Sequence, residues 1–459
     1  MLARGLSRST ATSLEVKMTK MRILPAARIT GRLSVPGDKS ISHRAAIIAA
    51  LADGWSSLSN YSTSQDCAAT LSCLRQLGII IEQQGNDVRV KGQGVRGLTK
   101  ARVPLDCGNS GSTMRMLAGV LAGQNFDSVL TGDDSLRARP MRRIIEPLGL
   151  MGASIHSEEG RPPLTIAGSA RLNPLHYELP VASAQVKSCI LLAGLNADGR
   201  TEVVETLGPT RDHTERMLRW FGIPLETRAP GPDMDANTIV IDGPGRYQAR
   251  DVDIPGDISS AAFLIAAAAL LPGSNLVVEQ VGLNPTRAQL IPLLRSLGFA
   301  VEIAGERELC NEPRGDISAT SHTVTFSQSD RPASLRGARI AQLIDELPLL
   351  AVVGTQLSDG LEIRDAAELR YKETDRIAAT VTNLRAMGAE VEEHEDGLTI
   401  GGPASLRGAR LQSFGDHRIA MAFTIAALLA NGESELEGAE CVAVSFPEFF
   451  ELLDSVVQR

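Results

Sequence analysis

The 459-residue sequence predicts an α/β protein assembled from six related units. Three observations predict this fold class: one phrase that recurs in three strong copies, weaker copies between them, and a second phrase that keeps the same period. The strong copies are 18 residues long, begin with Gly-Asp, end with Gly and span residues 37–54, 256–273 and 415–432. Each predicts a polar turn that leads into an Ala/Ile/Leu-rich helix, which the final glycine is expected to stop.

Weaker copies begin at residues 108, 182 and 345, so six turn-and-helix units start near residues 37, 108, 182, 256, 345 and 415. The second phrase, Leu-Arg-x-x-Gly with an apolar run, occurs at residues 74–81, 218–225, 294–301 and 384–391, with a degenerate version at 148–155. It predicts the end of a second helix, a glycine cap and a strand. Each unit is therefore expected to be β-α-β-α-β-β, three to a domain, because a period of about 70 to 90 residues exceeds that of common solenoids.

The composition is that of a soluble globular protein, with 43% hydrophobic and 22% charged residues. A net charge of −8 and the lack of basic runs with interleaved aromatics argue against nucleic-acid binding. No apolar run reaches the ~18 residues that would span a membrane. Six scattered cysteines without a Cys-x-x-Cys pair fit reduced thiols, so a cytoplasmic location is expected, and no histidine spacing predicts a metal site.

The first 20 residues form a segment of their own. They carry four basic side chains against one acidic side chain and are rich in Ser and Thr, which weakly resembles an organelle transit peptide. The simpler interpretations are a natural extension or an early start codon, since Met18 or Met21 could equally begin the protein. The three alternatives stay open on the sequence.

Basic side chains at the starts of repeated helices predict an anion site. Lys39, Ser40 and Arg44 lie in the first turns of an apolar helix, where free N–H groups favour anions and disfavour cations. A solvated helix face is the alternative. Lys372 and Arg376 are expected to share a helical face at i and i+4, with an exposed salt-bridged helix as the alternative. The other candidates are Asn109, Gly111, Arg139, Ser183, Gln185, Thr210, Arg211, Asp345, Glu373 and Arg418.

Seven motifs, in order along the chain, resemble the 5-enolpyruvylshikimate-3-phosphate (EPSP) synthase family, also called 3-phosphoshikimate 1-carboxyvinyltransferases. They are PGDKSISHR (36–44), GNSGSTMR (108–115), RARPM (137–141), SAQVKS (183–188), RDHTE (211–215), KETDR (372–376) and GDHR (415–418). The resemblance runs from about residue 25 to the C-terminus. It implies a two-domain inverse α/β barrel of six β-α-β-α-β-β repeats, three per domain. One domain would hold residues 1–38 and 255–459 and the other 39–254, with the active site in the cleft between them.

The resemblance also implies the reaction. This family transfers the enolpyruvyl group of phosphoenolpyruvate to the 5-hydroxyl of shikimate 3-phosphate and releases phosphate, on the route to chorismate and the aromatic amino acids. Both substrates are anions, which fits the basic helix starts. The chemistry needs an acid, a base and clamps for the two anions, so no cofactor and no metal is expected. The expected partners are these two small molecules, with neither nucleic acid nor membrane, and the protein is expected to be a monomer.

The resemblance assigns roles to individual residues. Asp345 is expected to be the base at the 5-hydroxyl, and Glu373 with Lys39 the proton donors. Shikimate 3-phosphate is expected to contact Lys39, Ser40, Arg44, Ser183, Ala184, Gln185, Thr210, Arg211, Asp345 and Lys372. Phosphoenolpyruvate is expected to contact Lys39, Asn109, Gly111, Arg139, Gln185, Arg376 and Arg418. The herbicide glyphosate, which targets this family, would occupy the phosphoenolpyruvate position, where Gly111 lets the backbone approach closely.

Three positions depart from the best-known bacterial pattern. Ala184 stands where a serine is often found, Glu368 replaces an asparagine, and Val444 stands where a phosphate-binding lysine is common. With SAQVKS and RDHTE, these residues resemble the more divergent bacterial branch of the family. They leave the phosphate ligands and the glyphosate sensitivity undetermined.

Two other functions are alternatives on the sequence. UDP-N-acetylglucosamine 1-carboxyvinyltransferase shares the fold and the donor, but that family carries a Lys-Asn pair where this chain has Lys39-Ser40. It usually also has a loop cysteine where this chain has Asp134. A non-catalytic phosphate-binding relative is the second alternative. Such a protein would be expected to lose Asp345, Glu373 or Lys39, and all three are present.

Overall fold

The computed structural model describes residues 20–169, 171–229, 236–321 and 333–459. Apart from Lys20, the N-terminal segment discussed above lies outside the described residues. The strands are β1 (Lys20–Ile23), β2 (Arg28–Ser34), β3 (Asp53–Ser59), β4 (Ile80–Gln84), β5 (Asp87–Gln93), β6 (Leu105–Asp106), β7 (Ser128–Thr131), β8 (Ile155–Glu158), β9 (Arg161–Ile166), β10 (His176–Glu178), β11 (Arg200–Glu205), β12 (Leu225–Arg228), β13 (Asn237–Asp242), β14 (Val252–Asp253), β15 (Asn275–Gly282), β16 (Ala300–Leu309), β17 (Glu312–Thr320), β18 (Ala333–Leu335), β19 (Leu361–Ile363), β20 (Val391–His394), β21 (Gly397–Ile400), β22 (Arg410–Gln412), β23 (Ser434–Glu437) and β24 (Val457–Gln458).

The helices alternate with these strands, which confirms the α/β class. The α-helices are α1 (Lys39–Leu51), α2 (Gln65–Gln76), α3 (Gly111–Ala122), α4 (Asp134–Ala138), α5 (Arg142–Leu150), α6 (Ala184–Gly194), α7 (His213–Trp220), α8 (Ile258–Leu270), α9 (Leu290–Ser296), α10 (Ala338–Leu343), α11 (Leu347–Gly354), α12 (Arg376–Ala386), α13 (His417–Leu428) and α14 (Phe449–Val456). Two 3₁₀ helices span Ala367–Tyr371 and Ala439–Val444. Within the described part of the chain, no helix combines the length and the apolar character needed to cross a membrane.

The described strands form six sheets that share one pairing pattern. Four have the orders β14-β3-β5-β4, β6-β7-β9-β8, β10-β11-β13-β12 and β18-β19-β21-β20, and two are β16-β17-β15-β2-β24 and β1-β23-β22. Each contains one parallel pair, such as β6 with β7, and antiparallel partners beside it. Parallel neighbours need a crossover connection, and α3, which lies between β6 and β7 in the chain, supplies it here. The count of six repeats itself stays a prediction.

Two sheets exchange their first strands where the chain crosses between its halves. β2 precedes α1 but pairs in parallel with β15, which follows α8. β14 precedes α8 but pairs in parallel with β3, which follows α1. The two crossing segments meet at an antiparallel bridge between Gly37 and Gly256. The starts of α1 and α8 are therefore held side by side at the crossing.

Buried hydrophobic residues form two clusters on either side of this crossing. One contains Ile23 to Val35 and Ile258 to Val456; the other contains Ile41 to Ile254 together with Cys310. Within α8, every residue from Ile258 to Ala269 is buried, because alanines allow close packing on all sides. We propose that the domains predicted at 1–38 plus 255–459 and at 39–254 correspond to these two cores, called the C-terminal core and the N-terminal core below.

The glycine caps of the second phrase are confirmed. Two residues after the end of each of the helices α2, α5, α7, α9 and α12 lies a glycine with positive φ, between 82° and 91°. These glycines are Gly78, Gly152, Gly222, Gly298 and Gly388. The glycine stops predicted for the first phrase are wrong. Helix α1 ends at Leu51, and Gly54 is the second residue of β3; α8 and α13 end at Leu270 and Leu428, before their glycines. The chain leaves the helix at Ala52 and Leu271 in extended conformation, which needs no glycine.

We expect Gly119→Ala to lower the free energy of unfolding by roughly 1–3 kcal/mol. Gly119 lies where α3 packs against α6, and a Cβ there would overlap the carbonyl oxygen of Cys189. The matched control is Gly149→Ala in α5, where an added Cβ has open space, and this change should stabilise the helix by about 0.5–1 kcal/mol. Urea denaturation of the three proteins measures both effects, and equal stabilities of the two variants would contradict the packing account.

Candidate active site

The ends of helices from both cores line one cleft of about 1480 Å³, including its open mouth. α1, α3 and α6 approach from the N-terminal core and α8, α12 and α13 from the C-terminal core. Each of these helices has a side chain that caps its first-turn amides, from Asp38, Ser110, Ser183, Asp257, Asp375 and Asp416. Six helix N-termini therefore direct their partial positive charge toward one space.

Formal charges reinforce the helix ends. The lining contains ten Lys or Arg residues and five Asp or Glu residues, a net charge of +5 when histidine is neutral, in a chain whose net charge is −8. Basic side chains and helix N-termini together favour anions such as phosphates and carboxylates. The described residues contain no group of three or more His, Cys, Asp or Glu arranged to hold a metal ion.

All sixteen residues that the sequence singled out lie in the lining of this cleft, although they come from eight separate segments of the chain. They are Lys39, Ser40, Arg44, Asn109, Gly111, Arg139, Ser183, Ala184, Gln185, Thr210, Arg211, Asp345, Lys372, Glu373, Arg376 and Arg418. Their individual roles stay predictions. Of the departures, Glu368 and Ala184 line the cleft, whereas Val444 lies in the second 3₁₀ helix and does not.

Arg376 lies between the two carboxylates predicted to move protons. Its Nη2 donates to Glu373 Oε2 at 2.7 Å, and its Nη1 is 3.6 Å from Asp345 Oδ1. Its Nε donates to Asp416 Oδ2 at 2.7 Å, and the residue is only 2% exposed. Arg139 reaches Glu373 from the other core, with 3.4 Å between Nη1 and Oε1. One buried guanidinium thus fixes the spacing of both carboxylates.

The prediction that Lys372 and Arg376 share a helical face is wrong. Arg376 is the first residue of α12, and Lys372 follows the 3₁₀ helix Ala367–Tyr371 in an extended conformation. Helix α12 starts at 376 because the side chain of Asp375 accepts from the amides of Ile377 and Ala378. The turn directs Lys372 to Glu368, with 3.1 Å between Nζ and Oε1.

The arginines around the two carboxylates favour the ionised form of both. Burial alone would raise the pKa of Glu373, but the charges of Arg376 and Arg139 outweigh it and hold that pKa far below its usual range. Burial likewise opposes ionisation of Asp345, and Arg211 and Arg418 lower its pKa well below the ordinary value. An ionised Asp345 suits a base. An ionised Glu373 can donate no proton until its arginines find other partners.

Three ion pairs cross the cleft from the N-terminal core to the C-terminal core. Arg211 Nη2 lies 2.6 Å from Asp345 Oδ2, Arg139 pairs with Glu373, and Arg143 Nη1 lies 3.5 Å from Glu368 Oε1. In each pair the cation belongs to the N-terminal core and the carboxylate to the C-terminal core. The three carboxylates therefore occupy arginines that an anionic substrate in the cleft would bind in their place.

Lys39 is a half-buried cation with its own counterion. Burial lowers the pKa of its ammonium, but Asp66, with Oδ2 2.8 Å from Nζ, raises it by more, so the net change is upward. Arg44 lies deeper. Its Nε and Nη2 donate to Thr214 Oγ1 at 2.6 Å and Ser188 Oγ at 2.9 Å, and burial lowers its pKa to about 10. Lys39 presents its charge to the cleft, while most of the donors of Arg44 are used within the protein.

Sequence reasoning missed several residues of this site. Asp66 and Arg143 carried no motif signal, and Arg115, though inside GNSGSTMR, was given no role. Arg287 Nη1 lies 3.1 Å from both carboxylate oxygens of Glu346, which also accepts from Ser259. Arg287 had no pattern around it. Glu346 follows Asp345 in DELP, and its adjacency to the predicted base was the one available signal.

The fold and the cleft define a two-core α/β protein with an anion-binding active site between the cores. The family model for EPSP synthase (3-phosphoshikimate 1-carboxyvinyltransferase) matches residues 23–453, so the chain belongs to this family. It is an enolpyruvyl transferase of aromatic biosynthesis, and it acts on phosphoenolpyruvate and shikimate 3-phosphate. The family match sets aside both the UDP-N-acetylglucosamine alternative and a non-catalytic role.

Named relatives and solved structures agree with this assignment. The chain is 49% identical to a 3-phosphoshikimate 1-carboxyvinyltransferase of Koribacter versatilis over 96% of this chain and 100% of the relative. A 3-phosphoshikimate 1-carboxyvinyltransferase of Solibacter usitatus is 48% identical, over 95% and 99% of the two chains. An EPSP synthase structure from Acinetobacter baumannii superposes with a TM-score of 0.83 at 40% identity, over 95% of this chain and 98% of that one.

We expect His43→Asn to reduce the loss of stability on mild acidification. His43 is buried beneath the cleft with Nδ1 2.7 Å from Thr70 Oγ1; burial, then the charges of Lys39 and Arg44, hold its pKa well below the ordinary value. The unfolded chain takes up this proton below about pH 6.5 and the folded protein does not. The native imidazole should therefore cost about 1.4 kcal/mol of unfolding free energy per pH unit below that point.

Urea denaturation at pH 7.5, 6.5 and 5.5 measures this dependence. The variant should lose less stability than the native protein over this interval, whereas the control His156→Asn, at an exposed histidine, should follow the native curve. Parallel curves for His43→Asn and the native protein would show that the buried imidazole is protonated in the folded state.

Proposed function

We propose that Asp345 takes the proton of the 5-hydroxyl of shikimate 3-phosphate and that Glu373, with Lys39, supplies the proton to the methylene carbon of phosphoenolpyruvate. The observation that carries this proposal is the position of Arg376 between the two carboxylates, with 2.7 Å to Glu373 and 3.6 Å to Asp345. Acid and base are thereby held on either side of one cation, inside a cleft that favours anions. Proton transfer of this kind typically contributes ~10²- to 10⁴-fold to the rate.

Substrate binding would adjust both carboxylates through their shared arginines. When the anionic groups of phosphoenolpyruvate pair with Arg139 and Arg376, Glu373 loses the charges that hold its pKa down. When the phosphate of shikimate 3-phosphate pairs with Arg211, Asp345 loses its closest cation. Both pKa values then rise, because burial opposes the charged form of each group. Glu373 becomes able to carry a proton, and Asp345 becomes a stronger base.

The reaction then proceeds by addition and elimination. Protonation of the methylene leaves a cationic carbon, which the 5-hydroxyl oxygen attacks as its proton passes to Asp345. The tetrahedral adduct loses a methyl proton and the phosphate, so that the enol double bond forms again on the acceptor. We propose that Arg139, Arg376 and Arg418 hold the phosphoenolpyruvate anion and that Ser183, Gln185 and Lys372 orient the acceptor. Phosphate release, assayed with each acceptor in turn, tests the reaction: release with UDP-N-acetylglucosamine but not with shikimate 3-phosphate would overturn it.

The monomeric state, the cytoplasmic location and the sensitivity to glyphosate stay predictions. For glyphosate, an added Cβ at Gly111 would lie 2.7 Å from Arg115 Nη1 and 3.6 Å from Arg139 Nη1. Any side chain there would disturb the arginines at the expected inhibitor position.

Asp345→Asn and Glu373→Gln should each lower turnover by roughly 10²-fold or more, with much smaller changes in substrate affinity. The amides keep the shape of the side chains and lose proton transfer. Steady-state kinetics with both substrates varied gives kcat and KM separately, and calorimetry checks shikimate 3-phosphate binding. Native turnover in either variant would refute the role assigned to that residue.

Arg418→Ala should raise the KM for phosphoenolpyruvate about tenfold or more, because a charge-assisted contact contributes ~1.5–3 kcal/mol. Binding of shikimate 3-phosphate should change little. Arg418 is 5% exposed and is held by Ser259 at the start of α8. The matched control is Arg385→Ala at the far end of α12, where the guanidinium binds only the carbonyl of Val391 in the described structure. An unchanged KM for Arg418→Ala would remove α13 from the donor site.

A further inference from the structure

Two sequence motifs meet in a buried ion cluster behind the cleft. Lys187 belongs to SAQVKS and Glu215 to RDHTE, and Lys187 Nζ lies 2.6 Å from Glu215 Oε1 and 2.9 Å from Glu205 Oε1. None of the three is more than 2% exposed, and none lines the cleft. Buried charges are costly unless they are paired, and hydrophobic residues often replace such clusters without loss of stability. Stability alone therefore does not account for the cluster.

The cluster encloses the loop at residues 206–212. Glu205 is the last residue of β11 and Glu215 lies in the first turn of α7, so Lys187 joins the two ends of this loop. Lys187 Nζ also lies 3.4 Å from the carbonyl oxygen of Thr210, in the loop itself. The three N–H bonds of the ammonium thus have three acceptors, one before the loop, one within it and one after it.

Glu205 fixes the same loop from its other side. Its Oε1 accepts from the backbone N–H of Thr210 at 2.9 Å and from the Thr210 hydroxyl. Its Oε2 accepts from Asn237 Nδ2 at 2.7 Å, which ties the carboxylate to β13. Thr210 and its neighbour Arg211 both line the cleft, and Arg211 extends to Asp345 on the opposite side. The orientation of these two residues therefore depends on Lys187 and its two carboxylates.

We propose that Lys187 is a positioning residue for the acceptor substrate: it holds the loop at residues 206–212 so that Thr210 and Arg211 meet the phosphate of shikimate 3-phosphate. Lys187 acts through these residues and does not touch the substrate. The inference rests on the proposed roles of Thr210 and Arg211. It predicts an effect on the acceptor only, because the arginines assigned to phosphoenolpyruvate come from α4, α12 and α13 and their neighbours rather than from this loop.

Glu215 offers a way to separate positioning from stability. Burial raises its pKa even though Lys187 pairs with it, and in the described structure its Oε2 is buried without a hydrogen-bond partner. Removal of the ammonium raises that pKa further. A carboxyl with a raised folded-state pKa loses stabilising protonation as the pH rises toward that pKa, so the stability deficit of Lys187→Met relative to the native protein should grow as the pH is raised above the ordinary glutamate pKa. Lys187→Met/Glu215→Gln removes the carboxylate that has no other donor, while Glu205 keeps the donors of Thr210 and Asn237, so the double variant should recover most of that deficit.

The test is steady-state kinetics of the full chain, with each substrate varied at saturation of the other. Native activity with both substrates comes first, because its absence would refute the proposed function rather than this inference. With an active native protein, both variants should show a KM for shikimate 3-phosphate raised about tenfold or more, a nearly unchanged KM for phosphoenolpyruvate and a kcat within about threefold. The double variant is decisive, since its stability is restored while the loop lacks its ammonium.

The control is Gln124→Leu, which removes a buried side chain of the same core that bonds the carbonyls of Val95 and Val120 and lies outside the cleft. It should lower stability without changing either KM. An unchanged KM for shikimate 3-phosphate in a folded double variant would overturn the proposal. Equal changes in both KM values would overturn it as well, because they would show a general distortion.

Discussion

The structure depends on the pairing of a surplus of positive charge that is gathered in one cleft. Six helix N-termini and ten basic side chains face this space, an arrangement that would repel itself if nothing opposed it. Aspartate side chains cap the first turns of α1, α8, α12 and α13, and carboxylates pair with the guanidinium groups. Asp416 shows both functions, since one oxygen caps α13 and the other accepts from Arg376. The acidic residues of the site thus serve the fold as much as the chemistry.

Strand exchange makes the convergence of distant residues possible. Because β2 pairs with β15 and β14 pairs with β3, the chain crosses twice at one place, and α1 and α8 begin side by side. The backbone N–H of Lys39 then reaches Asp257 Oδ2 at 3.2 Å, across 218 residues of sequence. Any relative motion of the two cores would pivot near this crossing, while the ion pairs formed by Arg139, Arg143 and Arg211 span the cleft. The ion pairs are non-covalent contacts that other ions can replace, whereas at the crossing the two cores are joined by the polypeptide chain itself.

The sequence was sufficient to predict the class of fold and the sixteen lining residues because helix starts and motifs are local patterns. Its errors were of two kinds. The pattern predicts helix stops at the glycines after α1, α8 and α13, but a helix can also end at an ordinary residue in extended conformation, as at Ala52. Partners distant in sequence were missed, since Arg287 with Glu346 and Lys187 with Glu205 are defined by packing rather than by spacing. The motifs identified side chains that line the cleft. They did not reveal the charged partners, distant in sequence, that hold parts of the site in place.

Several cations that line the cleft are paired with carboxylates of the protein, and we propose that anionic substrates replace these carboxylates. Arg211 pairs with Asp345, and Arg139 and Arg376 pair with Glu373. Exchange of one anion for another keeps the local charge balanced, so binding avoids the cost of burying an unpaired ion. The carboxylates displaced in this way would be the two that we propose to carry protons, and burial would then raise their pKa values toward the usual range. On this proposal, substrate binding and the adjustment of the acid and the base are coupled through the same arginines.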